Sequence, residues 1–306
     1  MKERRTLIFA NPAACGGMTK ERHEALERLK RRLGGRLLGL ESKSREEFLE
    51  LMLSESAHGD LVIIAGGDGS LHDGINALWK KRLSLGYIPF GTGNAAGYAL
   101  SILEPGASTL LHSFDEEKIF EILKIGREKT IDLIEVKSPS LSKPEISLFS
   151  SVGWCALMAG KRKRRGLLGY MSPALKNVFG NYYEQRAEVI VDNQKLWSGK
   201  STFVILSKSR FYGAGVLMVP EAVLDDGQIH LALYELSRRE VTALYAKSFL
   251  GFEPRADLTS RGRKVEIRSL EGALPLQCDG EYMGTSKEVT FEVLPGAMNF
   301  IIGDDR

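Results

Sequence analysis

Asp68 lies within Gly66-Gly67-Asp68-Gly69-Ser70, between an apolar run, Leu61 to Ala65, and a helical pattern carrying Leu71, Ile75 and Leu78. Glycine lets backbone approach a bulky polyanion and adopt positive φ, and the helix that follows aims its first N–H groups and its dipole at phosphate. A lone carboxylate would repel that phosphate, so the spacing implies a divalent cation or a proton to be moved. The chemistry it suits is phosphoryl transfer. Two further acid–glycine clusters follow, Asp225-Asp226-Gly227 and Cys278-Asp279-Gly280-Glu281. Asp-Gly is also the commonest hairpin dipeptide, so taken alone each reads first as turn chemistry. Context favours more for the second: a two-domain kinase needs acids facing the nucleotide loop across a cleft. Glu281 could then take the proton of an acceptor hydroxyl while Asp68 holds magnesium.

These residues need a scaffold, and the first 130 or so positions supply one by alternating short apolar runs with amphipathic segments. That alternation predicts a parallel sheet wrapped by helices. Thr6 to Ala10 reads as the first strand, Asn11 to Gly17 as a glycine-bearing turn, and Thr19 to Leu33 as a helix with Ala25, Leu26, Leu29 and Leu33 on one face. Gly34-Gly35 stops it. Arg36 to Leu40 reads as a strand, and Ser44 with Glu47 as a capping box. Leu61 to Ala65 and Gly86 to Phe90 are adjacent strands, the latter followed by Gly91-Thr92-Gly93-Asn94 and a helix from Ala95. Turns at the C-terminal ends of parallel strands share one ligand-binding edge, so Asn11, Asp68 and Thr92 should converge.

From about Thr130 the texture changes to shorter β-branched runs, among them Ile146 to Val152, Thr202 to Leu206 and Gln228 to Leu233. They predict an antiparallel sandwich with helical interruptions near Leu167 to Val178 and Arg238 to Ser248. The expected division is an α/β domain over 1–130, with a tail at 296–306 packing back on it, and a β-rich substrate domain over 131–295.

At 306 residues the chain can bury a core without staples. Its three cysteines, Cys15, Cys155 and Cys278, are too far apart for a zinc quartet and read as reduced thiols of a cytoplasmic protein. No apolar run is long enough for a signal peptide or a membrane span. The net charge of +3 is mild, but Lys161-Arg162-Lys163-Arg164-Arg165 concentrates five cations before Leu167, Leu168, Tyr170 and Met171. Such a run reads either as a solvated loop or as a patch facing an anionic membrane. No nucleic-acid-binding pattern accompanies it. The sequence leaves a homodimer open.

Together Asn11-Pro12 with Gly16-Gly17, GGDGS at 66–70 with Asn76, Pro89 through GTGN at 91–94, and the late Asp279-Gly280-Glu281 resemble bacterial diacylglycerol kinases, whose catalytic domain is shared by sphingosine and ceramide kinases. The Gly213 to Pro220 stretch with Asp225-Asp226-Gly227 extends the likeness over nearly the whole chain. The resemblance implies an ATP- and Mg2+-dependent lipid kinase of the NAD kinase/diacylglycerol kinase-like fold, acting on a diacylglycerol-like or sphingoid lipid at a membrane surface. Asp68 would be essential, with Gly66, Gly67, Gly69 and Gly93 holding the ATP phosphates. Asn11, Ser70, Thr92, Asn94 and Asp279 would line the nucleotide pocket, and Glu281 would be the favoured base, with Asp68 the alternative. Asp132 would join a magnesium network, and Asp225 and Asp226 would sit near a structural magnesium.

Some positions depart from the family pattern. Ser70 and Asp73 stand where Thr and Glu are usual and keep the hydroxyl and the charge. Ala95 stands where many members carry a magnesium-network Asp, and Ala14 and Cys15 replace Ser and Gly in the first turn. A soluble-substrate kinase of the NAD kinase type and a catalytically inactive nucleotide- or lipid-binding regulator are the competing readings. His72 and the tryptophans Trp79, Trp154 and Trp197 read as packing residues.

Overall fold

The computed structural model describes residues 4–13, 17–91, 93–104, 114–160, 183–213, 215–248 and 254–304. Contacts divide the chain into two units, one of Met1–Glu104, Leu111–Ile131 and Gly296–Arg306, the other of Pro105–Leu110 and Asp132–Pro295.

In unit 1 the strands β1 (Thr6–Ala10), β2 (Arg36–Leu38), β3 (Leu61–Gly66) and β4 (Ser84–Pro89) lie in the order β2-β1-β3-β4. All pair in parallel, with Ile8 beside Ile63 and Ile63 beside Gly86. Asn299 and Phe300, near the chain's end, continue the sheet in parallel beside Ser84 and Leu85. Every residue of β3 and β4 is buried, which is why these strands read as unbroken apolar runs rather than alternating ones. The helices are α1 (Lys20–Leu33), α2 (Arg45–Glu55), α3 (Asp68–Leu78), α4 (Ala95–Ala99) and α5 (Glu116–Ile125). Bidentate pairs from Arg28 to Glu116 and from Arg32 to Glu117 join α1 to α5.

Local signals account for the helix ends. Thr19 Oγ1 accepts the N–H of Arg22 to open α1, and Gly34 closes it in the left-handed region at φ 64°. Ser44 Oγ accepts the N–H of Glu47, but the Glu47 carboxylate returns to the N–H of Lys43, one residue before the expected partner. The strand predicted to Leu40 stops at Leu38, because Gly39 turns the chain at φ 88° against the Phe48 ring.

Unit 2 contains most of β5 (Arg127–Lys137) and the first half of β18 (Glu288–Ile302), with β6 (Glu145–Ser147), β7 (Phe149–Gly153), β8 (Gln185–Val191), β9 (Gln194–Ser201), β10 (Phe203–Ser207), β11 (Phe211–Tyr212), β12 (Val216–Leu217), β13 (Ile229–Tyr234), β14 (Leu258–Gly262), β15 (Lys264–Ser269), β16 (Leu274–Cys278) and β17 (Glu281–Ser286). An antiparallel sheet runs β14-β13-β10-β7-β16-β17, and a second runs β18-β15-β8-β9. β5 joins the second sheet through β18 and carries β6, while β11 and β12 form a short ribbon. Val204, Leu206 and Leu231 from the first sheet meet Val189, Ile267 and Phe291 from the second in one core, so this half is a β-sandwich.

The opposite face of β10 and β13 is covered as well. Phe203, Ile205 and Tyr234 pack there with Trp154 of α6 (Trp154–Gly160) and Val241 of α7 (Arg238–Ser248). Truncating a ring such as Phe203 in this layer would cost about 3–5 kcal/mol. α6 is wholly apolar and has no amphipathic stripe to announce it, whereas α7 falls where expected. The predicted helix at 167–178 lies outside the described residues. Among the described residues no helix is long and apolar enough to cross a membrane.

Candidate active site

Three strand ends in unit 1 build one edge. Leaving β1, Asn11 donates its backbone N–H to Ala65 O, so the first turn is tied to the strand that precedes Asp68. Its side-chain Nδ2 donates to Ser70 Oγ at 2.9 Å, and its Oδ1 accepts the N–H of Ala13 at 2.9 Å. The polar side chains expected at a nucleotide pocket are thus bonded to each other across two turns.

After β3, Gly67 takes the cap position of α3 in extended backbone at φ −95°. Having no side chain, it leaves the helix without a side-chain cap, so the first N–H groups of α3 project from an uncapped end. Gly66, Gly67 and Gly91 are not in the left-handed region. The positive φ expected of these glycines is therefore a misreading, and the reason for glycine is space. A Cβ on Gly66 would meet Ser70 Oγ at 2.5 Å, and one on Gly91 would meet Gly67 Cα at 2.7 Å. The second and third turns pack backbone against backbone.

Asp68 is the first residue of α3 and half-buried, and its Oδ1 accepts the N–H of Ala96 at 3.1 Å. It ties α3 to α4. Burial first, and the Asp68 charge second, push the Tyr98 phenol well above its ordinary value, which keeps this neighbour neutral. Asn94 takes φ 46° and holds its turn closed with Nδ2 on Gly91 O at 2.7 Å, while its Oδ1 accepts from Tyr87 OH at 3.3 Å. Ala95 is buried at the start of α4. Asp73 pairs with Arg45 of α2 and so anchors α3, and His72 is buried against Asn76 on the same helix. Thr92, Ala14, Cys15, Gly16 and the run Lys161 to Arg165 lie outside the described residues.

The carboxylate, the bare helix start and the glycine cradle suit a magnesium ion carried in with phosphate, since Mg2+ binds through one or two carboxylates plus phosphate oxygens and water. Asp68 would hold it.

In unit 2, Asp279 and Gly280 form the two-residue turn joining β16 to β17, at φ 46° and 86°. This is the primed hairpin geometry that Asp-Gly favours. The buried Asp279 Oδ1 accepts the N–H groups of Leu148 and Phe149 at 2.9 and 3.0 Å, an internal commitment that a nucleotide contact would have to share. Glu281, next in the chain, is exposed. The turn rests on residues the sequence reading missed. Gln277, fully buried in β16, accepts the N–H of Gly280 at 2.6 Å and donates to Tyr212 OH at 2.9 Å and Ser151 Oγ at 3.2 Å. The signal was a polar residue inside the apolar run Leu274 to Cys278.

Neither the magnesium network implied for Asp132 nor the structural magnesium implied near Asp225 and Asp226 fits the side chains found there. The fully buried Lys208 places its Nζ 3.0 Å from Asp132 Oδ2 and 2.6 Å from Asp226 Oδ1. A divalent ion within about 3.5 Å of that ammonium would be repelled by on the order of 10 kcal/mol at an effective dielectric constant of about 20. Burial alone would raise the Asp226 carboxyl, but hydrogen bonds from Lys208, His230 and the Gln228 N–H outweigh it and hold it at about 2. Asp225 is exposed, and no cluster of three or more potential metal ligands occurs among the described residues. Lys208 and His230 were not foreseen, because their partners are distant in sequence or hidden in a turn.

A model of the diacylglycerol kinase catalytic domain matches residues 5–136, and one of the YegS C-terminal NAD kinase beta sandwich-like domain matches residues 156–302. A diacylglycerol kinase of Mycobacterium tuberculosis H37Rv is 23% identical over 283 residues, covering 90% of this chain and 87% of that protein. One from Staphylococcus aureus RF122 is 26% identical over 296 residues, covering 93% and 88%. The crystal structure of a diacylglycerol kinase from Bacillus anthracis Sterne superposes with a TM-score of 0.72 at 19% identity, covering 99% of this chain and 98% of that one. Between them the two models take in the three strand-end turns and most of the sandwich, and the chain belongs to the diacylglycerol kinase-like family of lipid kinases, which are phosphotransferases.

Proposed function

We propose that this chain transfers the γ-phosphoryl group of ATP, with Mg2+, to a hydroxyl of a diacylglycerol-like or sphingoid lipid. The observation that carries the reading is the setting of Asp68: a carboxylate at the opening of an uncapped helix, between turns whose Gly66 and Gly91 have no room for a Cβ. Such an opening accepts a polyphosphate, because backbone N–H groups reach it where side chains are absent. Magnesium, when bound by Asp68, supplies neutralisation of the charge on the phosphate oxygens. Asn11 and Ser70, coupled at 2.9 Å, orient one side of the nucleotide site, and Asn94 fixes the turn on the other. Glu281, whose carboxylate is exposed beside a rigid hairpin turn, takes the proton of the acceptor hydroxyl. The lipid is met at a membrane surface by a cytoplasmic enzyme associating peripherally, with Lys161 to Arg165 as the contact.

Radiolabelled ATP offered with a panel of diacylglycerol, monoacylglycerol, sphingosine, ceramide, phosphatidylglycerol and NAD tests the proposal. Transfer to a lipid, lost in Asp68→Ala, is the expected result. Transfer to NAD alone would select the soluble-substrate reading. ATP binding without transfer or hydrolysis would select the inactive regulator, the reading favoured by the buried Ala95 at the start of α4.

A further inference from the structure

Lys208 is the least ordinary charged residue of the described chain: it directly follows β10, its side chain is 0% exposed, and it is ion-paired on two sides. We propose that its ammonium group is a built-in cation, standing where the family resemblance implies a structural divalent metal, and that unit 2 holds its strands without one. Of the ammonium's N–H donors, one bonds Asp226 Oδ1 at 2.6 Å and one the Gln228 carbonyl at 2.5 Å, and Asp132 Oδ2 forms an ion pair with the same nitrogen at 3.0 Å. The carboxylates are engaged from their other sides too. Asp132 Oδ2 accepts the Gly227 N–H at 2.7 Å, Asp226 Oδ1 accepts the Gln228 N–H at 3.1 Å, and Asp226 Oδ2 meets His230 Nε2 at 2.7 Å.

The cluster therefore joins β5, the end of β10, the 225–228 turn and β13 through one charge, as a bound metal would. Unlike a metal, this charge is covalently tethered and no chelator removes it. Deleting the one central cation leaves the buried Asp132 carboxylate and the partly exposed Asp226 carboxylate without the ammonium between them, which is strongly destabilising.

The test follows thermal unfolding of the full chain without nucleotide, so that it stands apart from the kinase proposal. The wild type is expected to melt at the same temperature in EDTA, Mg2+ and Ca2+. Lys208→Ala is expected to melt about 10 °C lower and to regain part of that loss in Ca2+, which enters the vacated space. A Lys208→Ala variant that melts like the wild type, or that is destabilised but indifferent to Ca2+, overturns the proposal. If Lys208→Ala does not fold, the wild type still decides. An upward shift of several degrees in Mg2+ or Ca2+ that survives Asp68→Asn and disappears in Asp226→Asn overturns the inference, and its absence upholds it.

Discussion

Asp68 and Asp226 each precede a glycine and each read in sequence as a magnesium ligand, yet the fold treats them oppositely. At Asp68 the chain surrounds the carboxylate with glycine backbone, an uncapped helix start and the Ala96 N–H. At Asp226 it supplies an ammonium and an imidazole of its own. In the proposed function the first site receives charge from outside, whereas the second is already balanced from within. An Asp-Gly pair marks where the chain turns; what the carboxylate does depends on partners that the dipeptide does not name.

The sharpest way to break this contrast is to neutralise each acid. Asp68→Asn should lower kcat/KM for lipid phosphorylation about a thousandfold or more, with little change in melting temperature. Asp226→Asn should do the reverse, lowering the melting temperature by several degrees while folded enzyme keeps most of its turnover. Steady-state kinetics and calorimetry on the same preparations check both, and an Asp68→Asn enzyme working at the parent rate would end the assignment.

Glycine separates the regions in a second way. Gly91 lacks positive φ but has no room, with Gly67 Cα 2.7 Å from a would-be Cβ, whereas Gly280 has open space around it and a φ of 86°. Gly91→Ala should therefore push the second and third turns apart, at about 1–3 kcal/mol of stability, with a large loss of ATP affinity. Gly280→Ala should show only backbone strain of roughly 1–2 kcal/mol, with ATP affinity unchanged. Nucleotide titration beside chemical denaturation distinguishes them, and equal losses of affinity would erase the distinction.

The contrast also explains what was legible. The strand–GGDGS–helix unit could be read because its parts are contiguous: β3 is apolar throughout, the glycines follow, and Leu71, Ile75 and Leu78 set the helix face. The hairpin at Asp279-Gly280 is local too, and its dipeptide reads as a turn, although the sequence reading gives Asp279 a nucleotide contact as well. Lys208 could not be read, since in Ser207-Lys208-Ser209 it looks like any polar residue ending a strand, and its ion-pair partner Asp132 lies on β5. Gln277 was missed for the same reason, its partners Ser151 and Tyr212 being on β7 and β11. α6 escaped because Trp154 to Gly160 is apolar throughout and carries no polar face to set a period. Replacing Gln277 with Leu should cost about 1–3 kcal/mol, because the Gly280 N–H loses its acceptor within the protein. Partial restoration by Glu, which can still accept, would confirm that the acceptor rather than the volume matters.

The smallest expected effect compares Asp226 with a third carboxylate, Asp60 in unit 1. Burial would raise the Asp60 carboxyl, but Arg5, through bonds of 2.9 and 2.6 Å, and the Ala57 N–H hold it below the ordinary value. A carboxyl lowered on folding adds stability above its unfolded-state pKa, near 4, and loses it as pH falls through the folded value. Arg5 is half-exposed, so solvent screens the pair, and its share is held to about 1 kcal/mol or less. Asp60→Asn should therefore lower stability slightly at neutral pH and flatten the decline below pH ~4. Chemical denaturation across that range measures it. A steeper acid decline in the variant would show that the pair is not what holds Asp60 down, and that burial outweighs Arg5 at this edge of the sheet.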